Sequence, residues 1–556
     1  MPEKVIKSSD KKESFIRKWA PAFVLSLALA IILIDATLLN VSLSTLVKEF
    51  KTDIQSLQWV ITAYSLTIAA LTITGGRLGD LFGRKRMFVI GAGLFALGSF
   101  VASISTNVST MIVGESIIEG IGAAMMMPAT ASLLVSKYKG RDRGIAFGIW
   151  GGVAGASTAI GPLLGGYLTT YHSWRWGFRI NVFVAAVLIL GSFLIKEYRE
   201  KIKKPTLDFV GVILSSLGML SLVYGIIEAS TYGWWTAKKD FSLFSQSYHL
   251  WGYSITPFAI GFGILILTAF LTWERRIERL GKTPLVSLNI FSNRPYVSSV
   301  VTTAIFALGQ AGLIFSIPVF LQAVRGASAY ETGLAMIPMS ITALFVAPIS
   351  GYFSHKIAPK YLVQLGLATF VVSYIIVFSI LNVNTTPADL VIPFVVMGLG
   401  MGMMMSSISN MTLSAVSPEQ AGEASGVNNT MRQVGSTLGT AIIGAVMLTA
   451  VSTNLANGVN DSSVIPQTMK ATINKSIDQQ TSNVEFGGGA HISSSVPQKI
   501  REEIPKISHK AITDANKEAL AYAIAFGLVG LVSTIWLPSG THIDFEKSLS
   551  DKKVKA

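Results

Sequence analysis

The chain has 556 residues, of which 51% are hydrophobic and 14% charged, and its mean hydropathy is +0.54. That is too apolar and too charge-poor for an ordinary soluble protein, so its solvent is lipid. The formal net charge of +14 reads as membrane topology rather than nucleic-acid binding, and the absence of cysteine excludes disulfides, thiolate metal sites and thiol catalysis.

Apolar runs of spanning length predict fourteen membrane helices, at 20–43, 55–75, 87–107, 109–134, 144–170, 178–196, 208–229, 251–273, 296–322, 331–353, 361–382, 389–414, 425–449 and 518–537. An even number puts both termini on one side. The basic N-terminus (Lys4, Lys7, Lys11, Lys12, Arg17, Lys18) argues that this side is the cytoplasm. Segments expected inside hold thirty of the 45 lysines and arginines; those expected outside hold fourteen, half of them in one long loop where the rule has little force. The first run is too long for a cleavable signal and lacks a small-residue cleavage site, so the chain is expected to be multi-pass in the cell (plasma or inner) membrane.

Span one carries Asp35, in the run Ile34 to Asn40. A carboxylate at the centre of a membrane helix costs about 2.5–3.5 kcal/mol on insertion scales, so it needs a reason. One is proton or substrate handling together with Thr37 and Asn40; the other is a polar staple that merely holds those two residues. After span two comes Gly76-Arg77-Leu78-Gly79-Asp80-Leu81-Phe82-Gly83-Arg84-Lys85-Arg86, read as a short hairpin at the membrane surface. Asp80 there could cap span three, and the segment with Gly76, Gly83, Arg84 and Lys85 is a candidate hinge clasp between two membrane helices.

Span four adds Glu115 and Glu119, spaced i,i+4 and expected on one helix face. Two ionised carboxylates would repel there, so at least one is expected to hold a proton. Glu119 falls about 15 Å inside an outer end near Ser109, and Asp35 about 12 Å inside an outer end near Leu43, so these acids could meet at one level of a shared cavity. Glu115, being nearer the surface, could instead snorkel. Span five holds Gly148, Gly151, Gly152, Gly155, Ser157, Gly161, Pro162, Gly165 and Gly166. Small residues let a neighbouring backbone approach, and the proline kinks the helix. Ser173-Trp174-Arg175-Trp176 and Asn181 follow.

After span ten, Gly351 to Lys360 is a worn copy of Gly76 to Lys85. If the two are equivalent, span nine repeats span one. Six spans then form each half, and spans seven and eight are an inserted pair. The alternative is two unrelated loops with helix-end glycines. Span thirteen contains the sole intramembrane cation, Arg432, placed near the inner end, where it pairs across the cavity or snorkels. The methionines at 125–127 and 397–411 read mostly as helix packing. The 450–517 segment, with Gly487-Gly488-Gly489, reads as a long polar outer loop or a small cap. All six histidines fall in predicted loops or tails, and no phosphate-binding loop appears.

The Gly76–Arg86 segment resembles the loop between the second and third helices of the major facilitator superfamily. Trp59 to Tyr64, Gly148 to Gly166 (with Ser157 where the pattern has glycine), Trp174 to Asn181 and Gly426 to Gly439 resemble the fourteen-helix drug:proton antiporters of that superfamily. The resemblance implies an all-α facilitator fold divided as 1–19 cytoplasmic tail, 20–196 N-terminal half, 208–273 inserted pair, 296–537 C-terminal half and 538–556 cytoplasmic tail. It implies a latch role for Asp80, Arg84 and Lys85 and an antiporter motif at Gly148, Ser157, Gly161, Pro162, Gly165 and Gly166. The chain departs from the pattern in span four. Ser116 stands where an arginine is usual and Glu119 where a glutamine is usual. That departure makes the cavity more anionic and favours cationic or neutral substrates.

The expected function is therefore proton-coupled export of amphipathic drugs by a monomer. It would need no cofactor or metal beyond the proton gradient, and its partners would be small amphipathic substrates, protons and the bilayer, with no nucleic acid and no enzymatic reaction. A dedicated exporter of one metabolite or lipid is the alternative within transport, and a non-transporting sensor or scaffold the alternative outside it.

Overall fold

In lipid the backbone has only itself to bond to, so each apolar run folds as a helix that satisfies its own N–H and C=O groups. The computed structural model describes residues 15–52, 54–196, 207–243, 246–467, 469–471, 473–474 and 498–540. Most of both tails, the centre of the 450–517 segment with Gly487 to Gly489, and the side chain of Asn40 lie outside the described residues. The first half contains α1 (Phe15–Phe50), α2 (Ile54–Phe82), α3 (Arg84–Ser103), α4 (Val108–Lys137), α5 (Gly140–Tyr171) and α6 (Arg175–Gly191). The inserted pair is α7 (Phe209–Tyr232) and α8 (Ile255–Arg279). The second half contains α9 (Arg294–Ala323), α10 (Ala329–Phe353), α11 (Pro359–Ile380), α12 (Val391–Ser414), α13 (Ala421–Asp461) and α14 (Gln498–Ser533). Between α7 and α8 runs a short antiparallel pair, β1 (Phe241–Leu243) and β2 (Gln246–Tyr248).

Among the described residues thirteen helices are long and apolar enough to cross a membrane as they stand, and α5, bent by 41° between Ser157 and Ile160, makes the fourteenth. The bend falls where Pro162 has no N–H to offer the carbonyl of Thr158, four residues earlier. Several helices open on the cap chemistry their sequences supply. Asn107, Asp208 and Ser254 accept backbone N–H groups at the starts of α4, α7 and α8, and Ser328 with Glu331 forms a full capping box on α10.

Two boundaries differ from the expectation. The Gly76–Arg86 segment is not a hairpin: α2 continues through Phe82, and the chain breaks only at Gly83, whose φ of 109° is open to glycine and few other residues. The 450–517 segment is not all loop either, because α13 runs on to Asp461 and α14 already begins at Gln498. These polar extensions carry their own small core of Val459, Ile465 and Ile500.

The two halves pair their helices alike. In the first half α1 packs on α5, α4 on both α2 and α3, and α3 on α6; in the second, α9 packs on α13, α12 on both α10 and α11, and α11 on α14. The halves meet through crossed contacts of the same kind, α2 with α13 and α5 with α10, joined by α5 with α12 and α4 with α13. This is the geometry of a parallel duplication, with its seam running through the molecule. The inserted pair lies outside the seam, where α7 packs on α2 and α13 and Trp59 stacks on Tyr224 with ring centroids 5.9 Å apart.

Candidate functional site

Three acids gather inside the first half. Asp35 on α1 is 1% exposed, Glu115 on α4 is 1% and Glu119 is 0%. Glu115 therefore does not snorkel. Asn181 on α6 bridges two of them, its Nδ2 donating to Asp35 Oδ1 at 2.6 Å and to Glu119 Oε1 at 3.3 Å. Asp35 Oδ2, Glu115 Oε2 and Glu119 Oε2 have no hydrogen-bond partner, and among the described residues no cation forms an ion pair with any of the three. Carboxylates so placed cannot all be ionised at once, so at least one proton is part of this arrangement. Tyr64 on α2 stands within reach of the same charges, with its ring against Gly120 and its hydroxyl unpartnered.

The winding of α4 is what presents these acids. Residues Ile112–Glu119 form a π-helix, so Glu115 and Glu119 are not the α-helical i,i+4 pair expected from their spacing. At Gly98 and Gly114 the α3 and α4 backbones touch so closely that a Cβ on Gly114 would lie 2.7 Å from the Ala102 nitrogen. Ser116, at the position of the missing arginine, points at α2 and donates to the Val60 carbonyl at 2.7 Å. Thr37 bonds back to the carbonyls of Leu33 and Ile34 and packs on Gly161, so it braces α1 against α5.

A second polar network closes the seam at the Gly83 end. Asp80 Oδ1 accepts from Arg84 Nε at 3.0 Å and from Nη2 at 2.8 Å, while Oδ2 accepts the Glu423 N–H of α13 at 2.9 Å. Arg84 Nη2 also donates to the Pro418 carbonyl at 2.5 Å, and Arg77 pairs with Glu423 at 3.3 Å. Asp80 is thus not the cap of α3; that position is Gly83, which has no side-chain cap. Instead it ties α2 to α13 across the seam. Lys85 stands over the Phe193 ring at 5.8 Å. Beside this network two glycine contacts repeat the pseudo-symmetry, Gly76 against Gly422 and Gly351 against Gly144.

The glycine face of α5 serves two neighbours. A Cβ on Gly148 would lie 2.5 Å from Pro348 Cα of α10, whereas Gly161 and Gly165 face α1. Ser157 donates to its own helix at Val153, and Gly166 lies against Tyr330. At the far end of the first half, Glu49 accepts from Trp174 Nε1 at 2.6 Å and pairs with Arg175. Burial works against ionisation of that carboxyl, but the bonds from Trp174 and Arg175 and the Arg175 charge outweigh it and hold the group below the usual carboxylate range.

Between the halves lies a small cleft of about 20 Å³, walled by Trp150 of α5 and, from the second half, by Phe306, Gln310, Met404, Asn428 and Arg432 among others. Arg432 does not snorkel. It sits about 16 Å along α13 from Ala421, and its Nη2 approaches Met127 Sδ of α4 at 3.7 Å. None of the three acids lines this cleft, so the expected anionic cavity is not what the seam presents here. The sequence alone does not single out Asn181, Tyr64, Arg77 or Glu423. Tyr64, Asn181 and Arg77 stand there only as parts of motifs, and the pairing of Arg77 with Glu423 becomes visible only when α2 meets α13.

Fourteen helices in two equivalently paired halves, with a cleft at their seam, define a membrane transport protein. The chain belongs to the Major Facilitator Superfamily, whose sequence profile matches residues 25–440. It is similar to the multidrug resistance protein Stp of Mycobacterium tuberculosis (strain CDC 1551 / Oshkosh), 26% identical over 93% of this chain and 91% of that protein. It is also similar to the tetracenomycin C resistance and export protein of Streptomyces glaucescens (28%; 78% and 77%) and to the multidrug efflux pump LfrA of Mycolicibacterium smegmatis (28%; 79% and 82%). Among solved structures, the human organic anion transporter MFSD10 (TETRAN) shares the fold, with a TM-score of 0.54 at 12% identity over 84% of this chain and 98% of that one.

Proposed function

We propose that this protein exports amphipathic small molecules across the cell membrane in exchange for protons, with both termini in the cytoplasm. The observation that carries the reading is the cluster of Asp35, Glu115 and Glu119, buried without a counter-cation and bridged by Asn181. Such a cluster is stable only when it holds protons, and a membrane protein keeps intramembrane acids at a cost of several kcal/mol where they do work. The Asp80, Arg84 and Glu423 network then acts as the cytoplasmic latch. It spans the seam and has to break for the cleft to open on that side. Antiport follows when substrate and proton favour opposite states of this two-state seam.

The names of relatives that export tetracenomycin C or confer multidrug resistance favour amphipathic cargo. The sequence-based preference for cationic cargo required the acids to meet the substrate, and in this state they are sealed from the cleft, so we assign them the proton. The test is uptake of a fluorescent amphipathic dye into inverted vesicles holding the purified protein. An acid interior is expected to drive accumulation, and a protonophore to abolish it. Accumulation indifferent to the pH gradient would refute proton exchange.

A further inference from the structure

Arg432 is a guanidinium deep in the seam with little to donate to. Among the described residues it has no ion-pair partner, and the acceptor it meets is a thioether sulfur, Met127 Sδ at 3.7 Å. Gln310 of α9, on the same cleft wall, is in a similar position, its Nε2 directed at Met401 Sδ at 3.4 Å. Thioether sulfur is a weak acceptor, so two strong donors on the cleft wall bond no oxygen among the described residues, although the unpartnered Oδ1 of Asn428 lines the same cleft. None of the first half's three acids answers Arg432, because none lines the cleft and Asp35 and Glu119 are held on Asn181. The apolar part of the wall is Trp150, pinned by its Nε1 bond to Thr130 Oγ1 at 3.1 Å, with Phe306, Met404 and Ile408, and the rest carries the polar Thr303, Ser409 and Asn429.

We propose that this cleft binds an amphipathic anion. Its carboxylate or sulfonate sits on Arg432 with help from Gln310, and its aromatic body lies against Trp150 and Phe306. A planar guanidinium grips such a head group through two parallel N–H bonds, and in a partly desolvated cleft that pairing outweighs what a cation or a neutral analogue gains from the same wall. The cleft is narrow in this state, about 20 Å³, so the ring system enters as the halves part. The proposal rests on the export reading and names the class of its cargo. It reverses the cationic preference drawn from the span-four acids, because the charge facing the cleft is positive.

The test is equilibrium binding to the purified full chain in nanodiscs of zwitterionic lipid. The probes share one ring system: 1-pyrenebutyrate, the neutral 1-pyrenebutanol and a 4-(1-pyrenyl)butyl-trimethylammonium salt. The wild-type protein is expected to bind the carboxylate at least about tenfold more tightly than the ammonium probe, the scale of one charge-assisted pair. Arg432→Gln should remove that preference and leave pyrenebutanol affinity unchanged, and Arg432→Lys should keep part of it. Retained neutral binding reports a folded cleft in each variant. Added phosphatidylglycerol separates two sources of the anion: competition assigns the head group to a lipid, and no competition assigns it to soluble cargo, both at the Arg432 site. Equal affinity for anion and cation, or an undiminished preference in Arg432→Gln, would overturn the proposal. If the anion binds through Arg432 yet no dye accumulates in acid-interior vesicles, the export reading fails and the site stands. Gradient-driven accumulation without anion preference gives the converse.

Discussion

Asp35→Asn is expected to abolish proton-driven accumulation of substrate while the protein still inserts, folds and binds. Asparagine keeps the size of aspartate and an oxygen for Asn181 Nδ2, but it cannot release a proton. Stability should not fall, because the change removes a buried carboxyl that has no counter-cation. The informative comparison is between uphill accumulation, which needs the proton, and exchange of labelled for unlabelled substrate at equal concentrations, which does not. Uphill accumulation should drop to the level of empty vesicles while exchange persists. Normal uphill accumulation by this variant would remove Asp35 from the coupling step.

A comparable loss is expected from a change with no charge in it. Gly351 on α10 faces the Gly144 carbonyl of α5 at the Gly83 end, and a Cβ there would also come 3.0 Å from Ser406 Oγ. Backbone cannot yield as a long side chain could, so Gly351→Leu should hold the two halves apart at this end. Transport should fall at least about tenfold, the protein being left in one of the two states that turnover requires. Spin labels at Lys139 and Lys356, introduced as cysteines into a chain that has none, would read the separation directly. Longer distances in Gly351→Leu, and no change in Gly261→Leu, whose Cβ would meet nothing within 4 Å, are the expected pair of results. An unchanged distance distribution with full transport would show that the glycine contact does not limit closure.

Which parts of this could be read from the sequence follows from which forces act locally. Spanning helices are declared by hydropathy, so all fourteen could be placed. The likeness of Gly351 to Gly76 was enough to indicate the duplication that the paired packing displays. The helical course of α2 through Phe82 was missed because glycines and charges read as a turn, whereas the crossed contact with α13 needs a helix there. The extensions of α13 and α14 were missed for a related reason: polarity marks the end of a membrane span, not the end of a helix.

The acids were found because a charge in lipid is conspicuous, but Asn181 and Tyr64 are neutral and their roles depend on what they touch. The π winding of Ile112–Glu119 has no hydropathy signature. Arg77 and Glu423 lie far apart in the chain, and their pairing exists only once the seam is closed. Whether Arg432 pairs or snorkels is not legible in the sequence, because its surroundings are supplied by helices of both halves. In the structure its side chain lines the cleft at the seam and meets Met127 Sδ of α4.

The central claim is that the buried acid cluster gives up a proton when substrate binds. It is tested most directly by adding an exported compound to purified protein in weakly buffered detergent and following pH with an indicator dye. The wild-type protein should release protons in proportion to the substrate bound, and Asp35→Asn, at equal occupancy, should release none. Equal proton release by the two proteins, or substrate binding with no release from either, would contradict the account.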